Sequence, residues 1–406
     1  MFFAVSTQTS VGWVLVFIAL LVAIVFAFAN VRQSKAEVGS EIELAPNRRP
    51  YLSDAELEGP KLDRTLSMGL LGLAIIGLGL PLYWLQEPAR QANAIRDVQR
   101  KFIDRGAEMF APTADGGFNC AFCHGADGGG GAAPQTITDA EGRFVKQVTW
   151  RGPALDTVLM RYTRDEVRYV LTYGRPFSPM PAWGVKGGGP LTDQQLQNLI
   201  DYIGTLQITP AESQKAVDEE LDLAMKAPDL ECQATKVAEA KVGLTGDDLA
   251  NFDESTVDTS SCPRQWKSKG EALFNLGYTS GFKGGAYSCG RCHTAGWSYG
   301  EKVADGTGAM GPNLTAVTTQ FPGGSMGVQQ QVDFVCTGSV DGARYGQNGQ
   351  GTGRMPGFCI VPEVKLNADN HEVGITPRDS GTAEQGAMYT EQQVRLIVEY
   401  ERSLAR

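Results

Sequence analysis

A chain of 406 residues exceeds the usual domain size of about 100 to 200 residues, so several modules are expected. Its 42% hydrophobic and 20% charged content excludes a disordered, collagen-like or coiled-coil protein. A formal charge of −10 with no basic stripe excludes nucleic acid as a partner, and 49 glycines predict long loops wrapped around something other than a large regular core.

Val11 to Ala29 is an apolar stretch of nineteen uncharged residues, and Leu66 to Leu85 is a second of twenty. Each is long enough to cross a bilayer as a helix. The second carries Gly69, Gly72, Gly77 and Gly79, which suit close helix packing, and ends on the interfacial pair Tyr83-Trp84. The first has a competing reading as a secretory signal, with Ala27-Phe28-Ala29 resembling a cleavage site, and the second as a buried core helix. However, the n-region Met1 to Ser10 has no positive charge. The intervening loop holds Arg32, Lys35, Arg48, Arg49, Lys61 and Arg64, so the positive-inside rule places it in the cytoplasm and everything after Leu85 outside.

Residues 120–124 read Cys-Ala-Phe-Cys-His, and residues 289–293 read Cys-Gly-Arg-Cys-His. The two motifs use two of the chain's three histidines. Thiols at i and i+3 can add to the two vinyl groups of a haem while the adjacent imidazole reaches the iron. The competing readings are a redox dithiol, which needs no following His, and half of a zinc site, for which one spare His is too few ligands. Two covalently attached haem c groups are therefore expected, held by Cys120, Cys123 and His124 and by Cys289, Cys292 and His293. Distal thioether ligands are expected from Met180, in Ser178-Pro179-Met180-Pro181, and Met355, in Gly353-Arg354-Met355-Pro356. A lone Met is more often a packing residue, but the repeated Met-Pro and similar spacing from each motif point to ligands.

Between the motifs, residues 208–261 carry thirteen Asp or Glu against four Lys. This is either a solvated face or a docking element for a basic partner. A helix is expected from Pro210 to Lys226 and loops after it. Cys232, Cys262, Cys336 and Cys359 lie outside the motifs on the oxidising side, where disulfides form, with three pairings open. The local loops favour Cys232 with Cys262 and Cys336 with Cys359. His371, in a polar loop, is an alternative distal ligand to Met355 or a solvated residue.

Gly106-x-x-x-Phe110 and Gly270-x-x-x-Phe274 precede the motifs, and Gly311-Pro312-Asn313-Leu314 follows the second, with Gly152-Pro153-Ala154-Leu155 as a less regular counterpart after the first. Thr192-Asp193-Gln194-Gln195 and Thr390-Glu391-Gln392-Gln393 each start a closing helix that carries Tyr202 or Tyr400 at the same offset. On these residues the chain resembles the class I cytochrome c family twice over, in residues 98–207 and 263–406. The resemblance implies a mainly α fold of two haem domains flanking an acidic insertion (208–262), placed after the two N-terminal transmembrane helices (1–31 and 66–85) and the cytoplasmic loop (32–65) read from apolarity and charge. It also implies that Pro312 accepts the proximal imidazole proton. The tandem, anchored arrangement looks like the dihaem cytochrome c subunit of bacterial cytochrome bc complexes, a relay without a catalytic site of its own. That implies a multi-pass protein of the bacterial cytoplasmic membrane, with cytochrome b and a Rieske protein as partners and a terminal oxidase as acceptor. The alternatives are the dihaem subunit of a cbb3-type oxidase, a dihaem peroxidase and a dehydrogenase-associated cytochrome.

Overall fold

The computed structural model describes residues 58–175, 178–339, 355–359, 363–366, 372–376 and 388–405, with Ser53 and scattered positions between 14 and 29. It divides into two compact units, Met1–Ala92 and Asn93–Arg406. Helix α1, Pro60–Phe110, contains the second expected span, and Leu62–Phe110 is the one helix among the described residues long and apolar enough to cross a membrane. A Cβ added at Gly69, Gly72, Gly77 or Gly79 would meet nothing within 4 Å, so this face has no partner among the described residues. Of the first expected span, Val11 to Ala29, ten of nineteen residues are described, and all ten, from Val14 to Ala29, are helical. The sequence predicts the second helix only to Leu85, yet α1 continues through Pro88 to Phe110. Residues 89–110 are rich in Ala, Arg and Gln, strong helix formers that need no apolar face to stay helical.

The second unit contains both haem motifs. In its first half, α2 (Cys120–His124) is followed by an antiparallel hairpin, β1 (Gly131–Thr138) and β2 (Phe144–Gly152), whose register pairs Gly131 with Gly152. Then come α3 (Val158–Arg161), α4 (Arg164–Tyr173) and the closing helix α5 (Asp193–Thr205). On α5, Leu196, Leu199, Ile200 and Ile203 recur at helical spacing and are buried, each contributing about 1.5–3 kcal/mol. The end of α1 crosses α5 at glycine distance: a Cβ on Gly106 would sit 2.1 Å from the Asn198 carbonyl oxygen, and Phe110 packs 5.4 Å from the Tyr202 ring.

The acidic segment forms α6 (Pro210–Ala224) and α7 (Leu230–Lys241). The second of these was expected to be loop. Its start is fixed by Asp229, whose carboxylate accepts from the Cys232 amide, and the Cys232–Cys262 disulfide ties it to residue 262. Val217, Leu221 and Ala224 put one side of α6 into the core of the following half, where the Ser213 hydroxyl meets the Tyr287 hydroxyl at 2.7 Å. Its carboxylates Asp218, Glu219 and Asp222 lie along the rest of the helix.

The second half repeats the first. Helix α8 (Lys269–Phe274) crosses the closing helix α11 (Glu391–Ser403), with Gly270 against the Leu396 carbonyl and Phe274 5.4 Å from the Tyr400 ring. Between them lie α9 (Gly290–His293), α10 (Ser325–Thr337) and a short hairpin, β3 (Glu363–Leu366) with β4 (Glu372–Thr376). Both closing helices start where expected, each with a capping box, Thr192 with Gln195 and Thr390 with Gln393. The Cys336–Cys359 disulfide is present as favoured from the sequence.

Glu401 on α11 is buried, and burial pushes its carboxyl from 4.5 up to about 7 against the opposing hydrogen bond from Gln331. The folded chain therefore holds a proton between those values that the unfolded chain has lost. Stability falls as pH rises from about 4.5 to 7 and stays reduced above, by a cost on the order of 3 kcal/mol. Denaturant unfolding at pH 5 and pH 8 should show Glu401→Gln flattening this dependence and exceeding the wild type in stability at pH 8.

Candidate functional site

Each Cys-x-x-Cys-His lies on one short helical turn, which sets the two thiols and the imidazole on neighbouring positions of one face. Cys120, Cys123, Cys289 and Cys292 form no disulfide, whereas the other four cysteines are paired. Burial pushes Cys120 up to about 11 and Cys289 well above the usual thiol range. A redox dithiol works through a stabilised thiolate, and the burial of these thiols favours the opposite. Among the described residues no three His, Cys, Asp or Glu side chains converge as a metal cage, so these residues do not complete a zinc site at either motif.

The imidazoles are held identically. His124 Nδ1 lies 2.8 Å from the Pro153 carbonyl, and His293 Nδ1 lies 2.8 Å from the Pro312 carbonyl. The less regular Gly152-Pro153 loop therefore does the same work as Gly311-Pro312. Burial lowers both imidazoles below their ordinary pKa, opposed in each by the proline carbonyl. A neutral ring that donates from Nδ1 leaves Nε2 as the free lone pair, the tautomer an iron ligand requires. Close packing fixes the ring planes: a Cβ on Gly311 would lie 2.6 Å from His293 Cε1, and one on Gly152 would lie 1.9 Å from the Cys123 carbonyl oxygen.

The methionines are also held alike. Helices α4 and α10 end on Gly174 (φ 74°) and Gly338 (φ 76°), a conformation open to glycine. The next residue in each donates its amide to a methionine carbonyl, Arg175 to Met180 and Ser339 to Met355, both at 3.0 Å. A Cβ on either glycine would strike that carbonyl oxygen at 2.6 Å. Met180 packs against the cluster that includes Cys120, and Met355 against the one that includes Cys289. The Cys336–Cys359 disulfide brackets the Met355 turn, with the Cys359 amide donating to the Cys336 carbonyl. These glycines are a site signal that sequence reasoning missed; a helix-ending Gly before each Met-Pro would have found them. His371 lies outside the described residues, as do Phe177, Gly353 and Arg354 beside the two methionines.

The donor set of two neutral thiols and one oriented imidazole is that of covalent haem c. Residues 103–203 match the family of cytochrome c oxidase, cbb3-type, subunit III. This stretch is a cytochrome c domain. It implies covalently bound haem c at the first motif and a part in electron transfer. No curated protein and no solved structure matches the chain.

Gly311→Ala places a methyl group inside the His293 ring. If the second motif carries haem as the first does, this should cut attachment there and spare the first, read as loss of about half of the haem-stained absorbance per chain. The same substitution at the solvent-facing Gly323, where a Cβ meets nothing within 4 Å, should leave attachment intact.

Proposed function

We propose that the protein is a membrane-anchored dihaem c-type cytochrome that relays single electrons within a respiratory chain. The observation that carries this is the repetition of one geometry in two modules: Cys-x-x-Cys-His, a proline carbonyl 2.8 Å from Nδ1, and a Met-Pro turn tied by its carbonyl at 3.0 Å. In this reading Cys120 and Cys123, and Cys289 and Cys292, form thioethers. His124 and His293 are proximal ligands, and Met180 and Met355 distal ones. The bound haem supplies a reversible one-electron couple. The chain's own residues hold the imidazole neutral, shield the iron from water and, through methionine, raise the potential. With all four axial positions assigned, a peroxidase is disfavoured because it needs an open iron.

Two complexes suit such a relay. The tandem anchored layout supports the cytochrome c subunit of a quinol-oxidising cytochrome bc complex, which passes electrons from a Rieske centre to a terminal oxidase. The family match of residues 103–203 supports the dihaem subunit of a cbb3-type oxidase. Purification in mild detergent separates them: a cytochrome b and a Rieske protein accompany the first, an oxidase core without them the second. A lone stable cytochrome would contradict both. Both readings place the haem modules outside, so protease added to spheroplasts should release them together.

Replacing Met180 or Met355 with Ala should lower the potential of its own haem and leave covalent attachment intact, as read by redox titration. If Met355→Ala left the ligand spectrum of its haem unchanged while His371→Ala altered it, the distal assignment in the second module would be wrong.

A further inference from the structure

Counted from their capping threonines, Thr192 and Thr390, the two closing helices correspond position by position. On the inward face Leu196, Leu199 and Ile200 of α5 answer to Val394, Ile397 and Val398 of α11, and all six are buried. The next position on that face differs in kind: α5 carries Ile203, 3% exposed, where α11 carries Glu401, 4% exposed. A carboxyl in an isoleucine's place costs desolvation and adds no apolar packing, and a buried ionisable group that breaks an otherwise apolar pattern marks a place where function is expected.

The carboxyl is held in a set orientation. Gln331 of α10, 1% exposed, donates from Nε2 to Glu401 Oε2 at 2.8 Å. The other end of that amide accepts from Arg402, whose Nη1 lies 3.1 Å from Gln331 Oε1 and 3.0 Å from the Phe321 carbonyl. A guanidinium can only donate, so the Gln331 amide has one orientation, with its NH2 toward Glu401. Burial favours the neutral acid and the Gln331 bond favours the carboxylate; burial prevails, and the group titrates at about 7.

The same stretch of α11 is seated on the second attachment motif. Ile397 and Val398 share one apolar cluster with Cys289, and Leu404 lies 3.0 Å from where a Cβ on Gly306 would stand. Gly306 belongs to the loop that wraps the motif: its amide donates to the Thr294 hydroxyl, the Gly308 amide donates to the His293 carbonyl, and the loop ends on the Pro312 that holds His293 Nδ1. The other charged groups on the surrounding elements are turned elsewhere. Asp333 of α10 and Glu399 of α11 are exposed, and Asp305 accepts from the Tyr400 hydroxyl and pairs with Lys302. Glu271 of α8 accepts from the Lys267 amide, and Asp218 of α6 accepts from Gln393. Among the described residues Gln331 is the hydrogen-bond partner of the Glu401 carboxyl, so its protonation is not tied to a neighbouring charge.

We propose that Glu401 is a redox-linked proton site of the second module, taking up one proton from water when one electron reaches that module's haem from a reduced metalloprotein donor and returning it when the electron passes on. One electron and one proton enter together, so the change of charge inside the module is cancelled over the pH range in which the carboxyl titrates. The first module, with Ile203 in that place, carries the electron alone. This rests on reading the second motif as a haem site.

The test uses the full-length holoprotein in a Met180→His background, which sets the first haem's potential apart from the second, and follows both potentials from about pH 5 to about pH 9. A carboxylate stabilises the oxidised iron, so the second potential should fall as pH rises through about 7 and level off on either side. Glu401→Gln should remove that step and hold the potential at the acid plateau of the parent. Reduced-minus-oxidised infrared spectra should show a protonated-carboxyl band that Glu401→Gln lacks. Gln331→Leu keeps the acid but removes the bond that favours its ionised form, so it should move the step to higher pH; it carries the test if Glu401→Gln fails to mature. A step that persists in Glu401→Gln, or one that Gln331→Leu leaves in place, overturns the proposal alone. Intact mass showing no haem on residues 289–293 overturns the dihaem reading together with it.

Discussion

A histidine that is to bind iron through Nε2 needs its other ring nitrogen occupied by an acceptor, and in this chain a proline carbonyl does that twice, at 2.8 Å. Much else follows from that hydrogen bond. Proline brings no amide donor at this point, so the loop that presents its carbonyl is disfavoured in a helix interior. The glycine before it, Gly152 or Gly311, must lack a side chain because the backbone passes against the Cys-x-x-Cys-His turn. The closing helix then seals the module, with Gly106 or Gly270 letting the opening helix cross it at backbone distance. The buried, neutral imidazole is the endpoint of this packing and the starting point of the chemistry.

The two modules are not beads on a string. The loop that holds His124 is bonded to the loop that leads to the second motif: the Ala154 amide donates to the Lys283 carbonyl at 2.9 Å, and the Lys283 ammonium pairs with Asp156. Lys283 adopts φ 50°, unusual for a residue with a side chain, and a Cβ on Gly284 would lie 1.9 Å from the Gly152 carbonyl oxygen. The β1–β2 hairpin lies over the same joint, where Trp150 packs 5.3 Å from Tyr299 and Lys146 pairs with Glu301. For the relay proposed above, such a joint would hold the two motifs in a fixed arrangement and remove the search that two loosely tethered carriers need.

What could be read in the sequence was what chemistry forces into a short span. Cys-x-x-Cys-His, the Pro carbonyl loops, the capping boxes and the Gly-x-x-x-Phe pairs each act within a few residues, and all are found where their spacing put them. The local disulfides were legible because each closes a short loop. The hairpin of residues 131–152 was not, because Gly131-Ala132-Ala133-Pro134 and Lys146-Gln147 hold few strand-forming residues to mark it. The length of α1 was underestimated since apolarity marks where a helix enters lipid, not where it stops.

The central claim, two haem-bearing modules in one chain, is tested most directly by intact-mass spectrometry of the purified protein with peptide mapping of the attachment sites. The account predicts a mass increase of two haems, one on the peptide spanning Cys120 to His124 and one on the peptide spanning Cys289 to His293. A chain carrying a single haem, or free thiols at either motif in the mature protein, would contradict it.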